Sequence, residues 1–566
     1  MLISSMKEKE KPEFNSITNK MRNKKISRRA ALSTAAKTAI GVVVAGVIAG
    51  VSGFYIGSRA AKTETLTKTE TLTAAKATVT KTVTKTMTQP VTKEITKTVT
   101  VTASVPATTT QTTVTTAPST AGVINMYVAQ GWYPGENEAM QALVNKFTKE
   151  TGIGVNLTFL AEADLHKKII AGCTAGNPPD IAHYRMADHV GQELAWKGWL
   201  EDVSEFEDKC KELDYFDWAI DAAYIYDAVR KQKIMAFVPF SVDSTHFTYW
   251  RDLLEEAGMP SAPEEIPLEW DEFVDFWKEA QDKLWSKKPE YKEKVYGIGW
   301  PSLGGIGVDP GDGWGQIAHM LAWFGFQPLK DGKVVMDSPE NIEAMKKVVK
   351  WIVDVYNAGY MPKGIIDWGS PDNNKAFHAK QIVSVFNCSL SIPLYWWTQD
   401  KDAYFNKTAT LSSMPTFNGK KGANLWYSFG WWVFKDGKNK DLAKRFIEWF
   451  LKPENINYYL KAKWGREFPA SRTVLEYDPF WKNGNSEAGR NDPHIPTFYY
   501  RLMEQPGQPV FHQMIPYPSD VTKYGYPLAA AVRVITEGVS VDEAVEDAIN
   551  DWINFLKKYQ EEIEKW

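Results

Sequence analysis

The chain has 566 residues, 44% hydrophobic and 24% charged, with a net charge of -3, which is ample for a folded region of two lobes beyond a leader. That balance conceals two parts of opposite sign: through Ala121 there are 18 Lys or Arg against 6 Asp or Glu, and beyond it 48 against 63. So acidic a remainder repels phosphates and argues against nucleic-acid binding, and the three cysteines, Cys173, Cys210 and Cys388, fit no metal spacing.

Residues 38–57 read TAIGVVVAGVIAGVSGFYIG, about twenty positions without a charge, long enough to cross a hydrocarbon core as a helix. The preceding 1–37 carries ten Lys or Arg against Glu8, Glu10 and Glu13, an excess that holds that end in the cytoplasm and sends everything after Gly57 outside. Ser27-Arg28-Arg29-Ala30-Ala31-Leu32 resembles a twin-arginine export signal, with Ala31 where Phe is usual. The small-residue sites near Ser58-Arg59-Ala60 are poor for cleavage because of the arginine, so the segment is expected to remain as an anchor rather than be removed as a signal. No cysteine follows closely enough to carry a lipid.

From 58 to 121 the chain turns Thr-rich and repetitive, as in TETLTKTETLT and TVTKTVTKTMT. Alternation of this kind suits a strand, but neither face has anything to bury, so the stretch is expected to stay extended and solvated. At roughly 3.3 Å per residue it could reach at most about 200 Å, and its hydroxyls near Pro106 and Pro118 suit O-glycosylation. It reads as a stalk holding a domain off the membrane.

Folded sequence is expected from Gly122. Val123 to Ala129 is an apolar run of strand type, and residues 136–150 carry Ala139, Leu143, Val144 and Phe147 at helical spacing. Gly152 ends that helix, and residues 154–159 restore strand alternation. A second cycle follows, with a helix over 165–175, a turn at Asn177-Pro178-Pro179 and a strand entered at Asp180. Such alternation implies helices packed on a mainly parallel sheet, which places ligands beyond the carboxyl ends of its strands, in the loops after Ala129 and His183. Helices are also predicted over 342–357, 442–451 and 540–558, the last with Ala544, Ala548, Ile549, Trp552 and Leu556 as its apolar stripe.

Six stretches then occur in order. They are Phe147-Thr148-Lys149-Glu150-Thr151-Gly152-Ile153, Asn177-Pro178-Pro179-Asp180-Ile181, Arg251-Asp252-Leu253-Leu254-Glu255-Glu256-Ala257-Gly258, Met414-Pro415-Thr416-Phe417-Asn418-Gly419, Asp441-Leu442-Ala443-Lys444-Arg445-Phe446 and Phe468-Pro469-Ala470-Ser471-Arg472. Together they resemble landmarks of the extracellular solute-binding proteins of carbohydrate ABC transporters, the maltose-binding-protein-like family, over residues 122–566. The resemblance implies an α/β, two-lobed periplasmic-binding-protein-like fold of type II. Its three crossings would lie near 246–250, 410–414 and 451–455. One lobe would combine about 122–247 with 412–452, the other 250–409 with 455–566. It also implies a sugar or oligosaccharide held in the inter-lobe cleft and ABC permease subunits as partners, with no enzyme activity, no cofactor, no metal and a monomeric state.

Tryptophans and tyrosines stand where a core helix does not need them, and a flat indole can cover the apolar face of a pyranose while polar neighbours take its hydroxyls. The candidate ligand-binding rings are Trp132, Trp300, Trp314, Trp396, Trp397, Trp426, Trp431 and Trp432, of which Trp431 and Trp432 are expected to carry about 1 to 3 kcal/mol of binding energy. Trp351, Trp449 and Trp552, at helical spacing, read as core. The candidate polar partners are Gln130, Arg185, Asp188 and Asp243, able to direct hydrogen bonds to hydroxyls. The family's tryptophan after the strand ending near Asn387 is not matched residue for residue, because Cys388-Ser389-Leu390 intervenes before Trp396. Of the sequons at Asn156, Asn387 and Asn406, the first two lie in predicted strands, leaving Asn406 as the usable glycosylation acceptor. The competing readings are an extracellular glycoside hydrolase, for which no carboxylate pair is singled out, and the same fold binding a peptide or a polyol.

Overall fold

A computed structural model describes residues 65–74, 77–86, 99–101, 112–115, 122–183, 187–304, 311–330, 333–369, 371–487, 489–510 and 526–564. The described residues fall into two units, divided between residues 108 and 109. The expected anchor at 38–57 lies outside the described residues, and among those described no helix is long and apolar enough to cross a membrane.

Within the first unit, part of the Thr-rich stretch is paired as strands. Strands Thr65–Ala74 and Ala77–Thr86 pair antiparallel over their whole length, and Val99–Val101 lies parallel along the first of them. β-branched threonine favours pleated backbone, and the strands satisfy one another's peptide groups, a gain that the argument from a missing buried face left out.

The described part of the second unit carries two large sheets, besides three two-stranded ribbons. In chain order we label the strands β1 (Thr112–Thr115), β2 (Val123–Ala129), β3 (Gly154–Leu160), β4 (Ile181–His183), β5 (Phe237–Asp243), β6 (Thr245–Trp250), β7 (Tyr296–Ile298), β8 (Ile382–Cys388), β9 (Thr408–Thr410), β10 (Asn424–Val433) and β11 (Phe468–Pro469). The first sheet runs β11-β5-β10-β4-β2-β3-β1, and the second β7-β8-β6-β9. In the first sheet β2, β3 and β4 are mutually parallel and a short strand at Gly507–Pro509 lies parallel to β10, while β1, β5, β10 and β11 join antiparallel, so the sheet is mixed rather than mainly parallel. Because β1 pairs with β3 from Thr112 opposite Phe159 to Thr115 opposite Asn156, the folded unit begins upstream of Gly122.

The helices follow from the apolar spacing. The helix predicted over 136–150 is Pro134–Thr151, started by proline and closed by Gly152 in the left-handed region at φ 72°. Its Phe147 meets Phe446 of the helix Lys440–Phe450 at 5.1 Å between ring centres, and both are wholly buried. The first core also holds Trp431, whose ring stands edge-on to Phe446 and Phe450 at 5.2 Å each. A second core surrounds Phe247 and Phe386, stacked at 4.2 Å, with Trp300 stacked on Trp351 at 5.0 Å. Each fully buried ring contributes about 1.5 to 3 kcal/mol, so each lobe has a core of its own.

The crossings fall elsewhere than expected. The chain leaves the first sheet at Ser244, between β5 and β6, because His246 to Trp250 are already paired in the second sheet. It returns along β10, later than 410–414: Leu411 and Met414 still pack in the second core, as do Leu425, Tyr427 and Phe429, whereas Trp426, Trp431 and Trp432 belong to the first. The third crossing is not at 451–455. Ile456, Tyr459, Leu460, Phe468, Trp481, Phe498 and Leu502 all lie in the first core, and the second is rejoined at Val510 and by the helices Tyr526–Glu537 and Val541–Glu564. The apolar stripe of Pro453–Lys461 faces the helix Pro134–Thr151 and buries best there.

Candidate functional site

The loop after β2 is pinned from below by the first turn of the helix it enters. Glu136 Oε1 accepts the backbone N–H groups of Trp132 at 3.2 Å and Tyr133 at 3.3 Å, and Asn137 Oδ1 accepts that of Gly131 at 2.9 Å. A Cβ at position 131 would stand 2.4 Å from the Glu136 Cβ, so this tight approach requires glycine. The result is an ordered loop that leaves Gln130 exposed and the Trp132 ring 57% exposed.

Beneath that ring lies a buried ionic network. Arg466 Nη2 donates to Glu136 Oε2 at 2.8 Å and also faces Glu467 Oε1 at 3.4 Å. Lys463 Nζ donates to Glu467 Oε2 at 2.8 Å, and Ser241 of β5 donates to the same oxygen at 3.0 Å. All four charged side chains are at most 3% exposed. Burial without pairing would cost several kcal/mol per charge, so the two acids and two bases are held as neutralising partners. Burial also lowers the Lys463 pKa. His183, at the end of β4, donates from Nδ1 to the Gly430 carbonyl at 3.0 Å, and burial, with Lys463 nearby, holds its pKa down at about 3. These groups, with Ala129, Glu162 and Tyr459, line a small pocket under Gln130 and Trp132 of about 10 Å³.

At the carboxyl end of β8, buried Asn387 donates from Nδ2 to the Ser389 carbonyl at 2.9 Å and to Ser391 Oγ at 3.1 Å. Asn373 donates to Asn387 Oδ1 at 2.8 Å and to Asp312 Oδ2 at 2.9 Å, tying in the start of the helix Gly311–Trp323. These bonds hold Ser389 at φ 74°, a left-handed conformation costly for any residue with a Cβ. From there its N–H reaches the Ser244 carbonyl at the crossing, 3.1 Å away. The following helix, Ser391–Gln399, sits on the lobe boundary: Leu390 and Leu394 pack in the first core, Ile392 in the second, and Trp396 touches both.

Of the predicted site residues, Gln130 and Trp132 stand together at the end of β2. Trp396 and Trp397 are half-buried beside exposed Tyr395 on the boundary helix. Arg185 and the side chain of Asp188 lie outside the described residues. The other rings are core. Trp300 is wholly buried and donates from Nε1 to Ser384 Oγ at 3.2 Å; Trp314 is 2% exposed in the second core; Trp426, Trp431 and Trp432 are at most 1% exposed in the first. Trp431 and Trp432 follow Gly430 because a Cβ there would meet the Val238 carbonyl at 2.0 Å across the β5–β10 pair, not because a loop presents them to a ligand. Asp243 is buried at the first crossing, where its Oδ1 accepts the Ser244 N–H at 2.7 Å. Sequence reasoning missed the network of Glu136, Lys463, Arg466 and Glu467. The available signal was three of these charges, Lys463, Arg466 and Glu467, close to Tyr459 and Trp464 and beside the Phe468-Pro469 landmark. Asn387 is buried and hydrogen-bonded, Asn156 donates to Asn125 at 3.1 Å, and Asn406 is exposed.

Residues 142–497 match the family profile described as bacterial extracellular solute-binding protein. No curated protein matches the sequence closely. Among solved structures, an oligosaccharide periplasmic-binding protein from Synechococcus sp. aligns at 15% identity over 77% of this chain and 99% of its own, with a TM-score of 0.60. The maltose-bound MalE3 of T. maritima aligns at 18% identity over 77% of this chain and all of its own, with a TM-score of 0.55. The GacH receptor of Streptomyces glaucescens, whose structures include complexes with acarbose, aligns at 16% identity over 78% and 99% of the two chains, with a TM-score of 0.57.

Proposed function

Since the chain belongs to the bacterial extracellular solute-binding protein family, we propose that it is the substrate-binding component of an ABC importer, capturing a sugar or oligosaccharide between its lobes and delivering it unaltered to permease subunits. The observation that carries this reading is an exposed indole, Trp132, fixed beside Gln130 and a set of buried charges at the carboxyl ends of parallel strands. The indole covers a pyranose face; Gln130 and, from the chain after β4, Arg185 and Asp188 take hydroxyls. Trp396 and Trp397, with Tyr395, supply rings from the other side. Maltose, maltotetraose and mannotriose bind structural neighbours, which makes neutral glucans and mannans the first ligands to try. The N-terminal 38–57 segment anchors the protein, and the Thr-rich chain from 58 up to β1 spaces the binding unit from the membrane, where it works as a monomer, with Asn406 open to glycosylation.

Titration calorimetry of residues 109–566 against a panel of such oligosaccharides tests the reading. Saturable binding with the sugar recovered intact is the expected result. Shortened products would turn the assignment to a hydrolase, and binding of peptides or polyols alone would keep the fold and discard the carbohydrate.

A further inference from the structure

Trp132 has two faces, and only one is open. The Arg466 guanidinium carbon lies 5.5 Å from the centre of the ring, within cation–π reach. Arg466 is itself 3% exposed and cannot swing away, because Glu136 holds it through Oε2 while using Oε1 to hold the Trp132 and Tyr133 backbone. The same carboxylate therefore fixes both the main chain of the ring's residue and the cation against its face. Glu467 approaches Arg466 from a second direction and is fastened in turn to Lys463 and to Ser241 on β5. The neighbouring Tyr133 ring is wedged against Trp464 at 4.5 Å, closing the side of the loop.

We propose that Arg466 is a positioning residue for ligand binding: it occupies one face of the Trp132 indole, fixes the ring's plane, and leaves a single face for the ligand. This rests on the carbohydrate reading above for the identity of the ligand, but the geometric part does not. A planar guanidinium locked to a carboxylate fixes a plane, whereas an ammonium fixes only a point. The lysine variant therefore keeps the charge and loses the orientation. A cation behind the ring also draws its π density inward, so the open face favours a neutral C–H surface over a second cation. The subsite accordingly takes neutral pyranosides in preference to protonated amino sugars.

Two measurements on residues 109–566 decide it. In fluorotryptophan-labelled protein, with the Trp132 resonance assigned through Trp132→Phe, Arg466→Lys is expected to shift and broaden that resonance while the buried tryptophans hold theirs. An unmoved Trp132 signal in a folded variant overturns the positioning role. In a double-mutant cycle read by calorimetry with maltotetraose, Arg466→Lys should weaken binding about tenfold in the wild-type background and leave affinity unchanged in Trp132→Ala. An equal loss in both backgrounds means that Arg466 acts otherwise than through the ring, and overturns the proposal. Should the unmodified protein not bind maltotetraose, the choice of glucan in the functional reading falls, and the fluorine signal still decides whether Arg466 sets the ring.

Discussion

Four imidazoles of the described residues, His183, His246, His319 and His494, are sealed inside the binding unit, and burial holds each of them neutral. His319 bridges both strands of the crossing: its Nε2 accepts the Leu425 N–H at 3.2 Å, and Nδ1 lies 2.9 Å from the Gly315 carbonyl and 2.7 Å from Thr245 Oγ1. A proton on Nε2 would set two donors face to face, and burial holds its pKa down at about 3. Burial does the same for His183, at about 3, and for His494, at about 4. Folded values below the ordinary value mean that the unfolded chain binds protons that the native state refuses. Stability is therefore full above about pH 6.5 and falls as pH drops toward 4, by up to about 1.4 kcal/mol per pH unit for each imidazole. Urea midpoints measured between pH 7.5 and pH 4 should decline along that slope, and His319→Gln should make the decline shallower by about one proton. A midpoint that stayed level to pH 4 would mean that these rings take up protons without cost. At the same scale, Trp431→Ala should lower stability by about 3 to 5 kcal/mol in urea unfolding, since it empties a ring-shaped space between Phe446 and Phe450. Trp132→Ala should leave stability within about 1 kcal/mol and weaken ligand binding by about 1 to 3 kcal/mol in calorimetry, because its ring is open to solvent.

Among the elements, the edge of the first sheet is closed by four residues that composition assigns to a stalk. β1 covers β3, which would otherwise present unpaired peptide groups along Asn156 to Phe159. Protein starting at 109 should therefore melt within about a degree of a chain keeping the whole Thr-rich region, while protein starting at Gly122 should melt a few degrees lower and associate more readily. Scanning calorimetry with light scattering on the three lengths checks this, and equal melting for the two shortest would remove any structural part for β1. This element also marks where sequence reasoning reaches its limit. Helices and parallel strands from Val123 to His183 were legible because apolar residues repeat at 3.6 and 2, and Gly152 sits where a helix must stop. Gln130 and Trp132, brought together at the end of β2, were legible as the loop that follows an apolar strand. Strand β10 puts Trp426, Trp431 and Trp432 in a run buried on both sides, and nothing local separates a ring buried between two layers from one displayed on a loop. The third crossing was misplaced because helix Pro453–Lys461 has an apolar stripe that suits either lobe; only tertiary packing against Pro134–Thr151 decides.

For the whole molecule, the consequence lies in how the lobes are joined. The connection at Ser244 is short and cross-linked: its Oγ donates to the Leu425 carbonyl at 2.6 Å, its carbonyl accepts from Ser389, and Arg501 of the first lobe donates to the Thr245 carbonyl at 2.7 Å. Such a knot can bend but not stretch, which suits rotation of one lobe against the other about β5–β6 and β10. On the function proposed above, a ligand held by both Trp132 and the boundary helix Ser391–Gln399 favours whichever rotation brings the two within reach of it. Saturating oligosaccharide is thus expected to lower the radius of gyration by about 1 Å in small-angle scattering. Because the ligand binds the folded state alone, at a hundredfold excess over Kd it should also add about 2.7 kcal/mol of stability, roughly 3 °C in melting temperature for a unit of this size. The two signals separate closure from simple adhesion. Sugar bound to one lobe only would raise the melting temperature and leave the scattering curve unchanged, and that result would reject a cleft that closes. Ser244→Pro supplies the control, since it removes the Oγ bond to β10 and constrains the backbone at the pivot: it should reduce the scattering change more than it reduces the heat of binding.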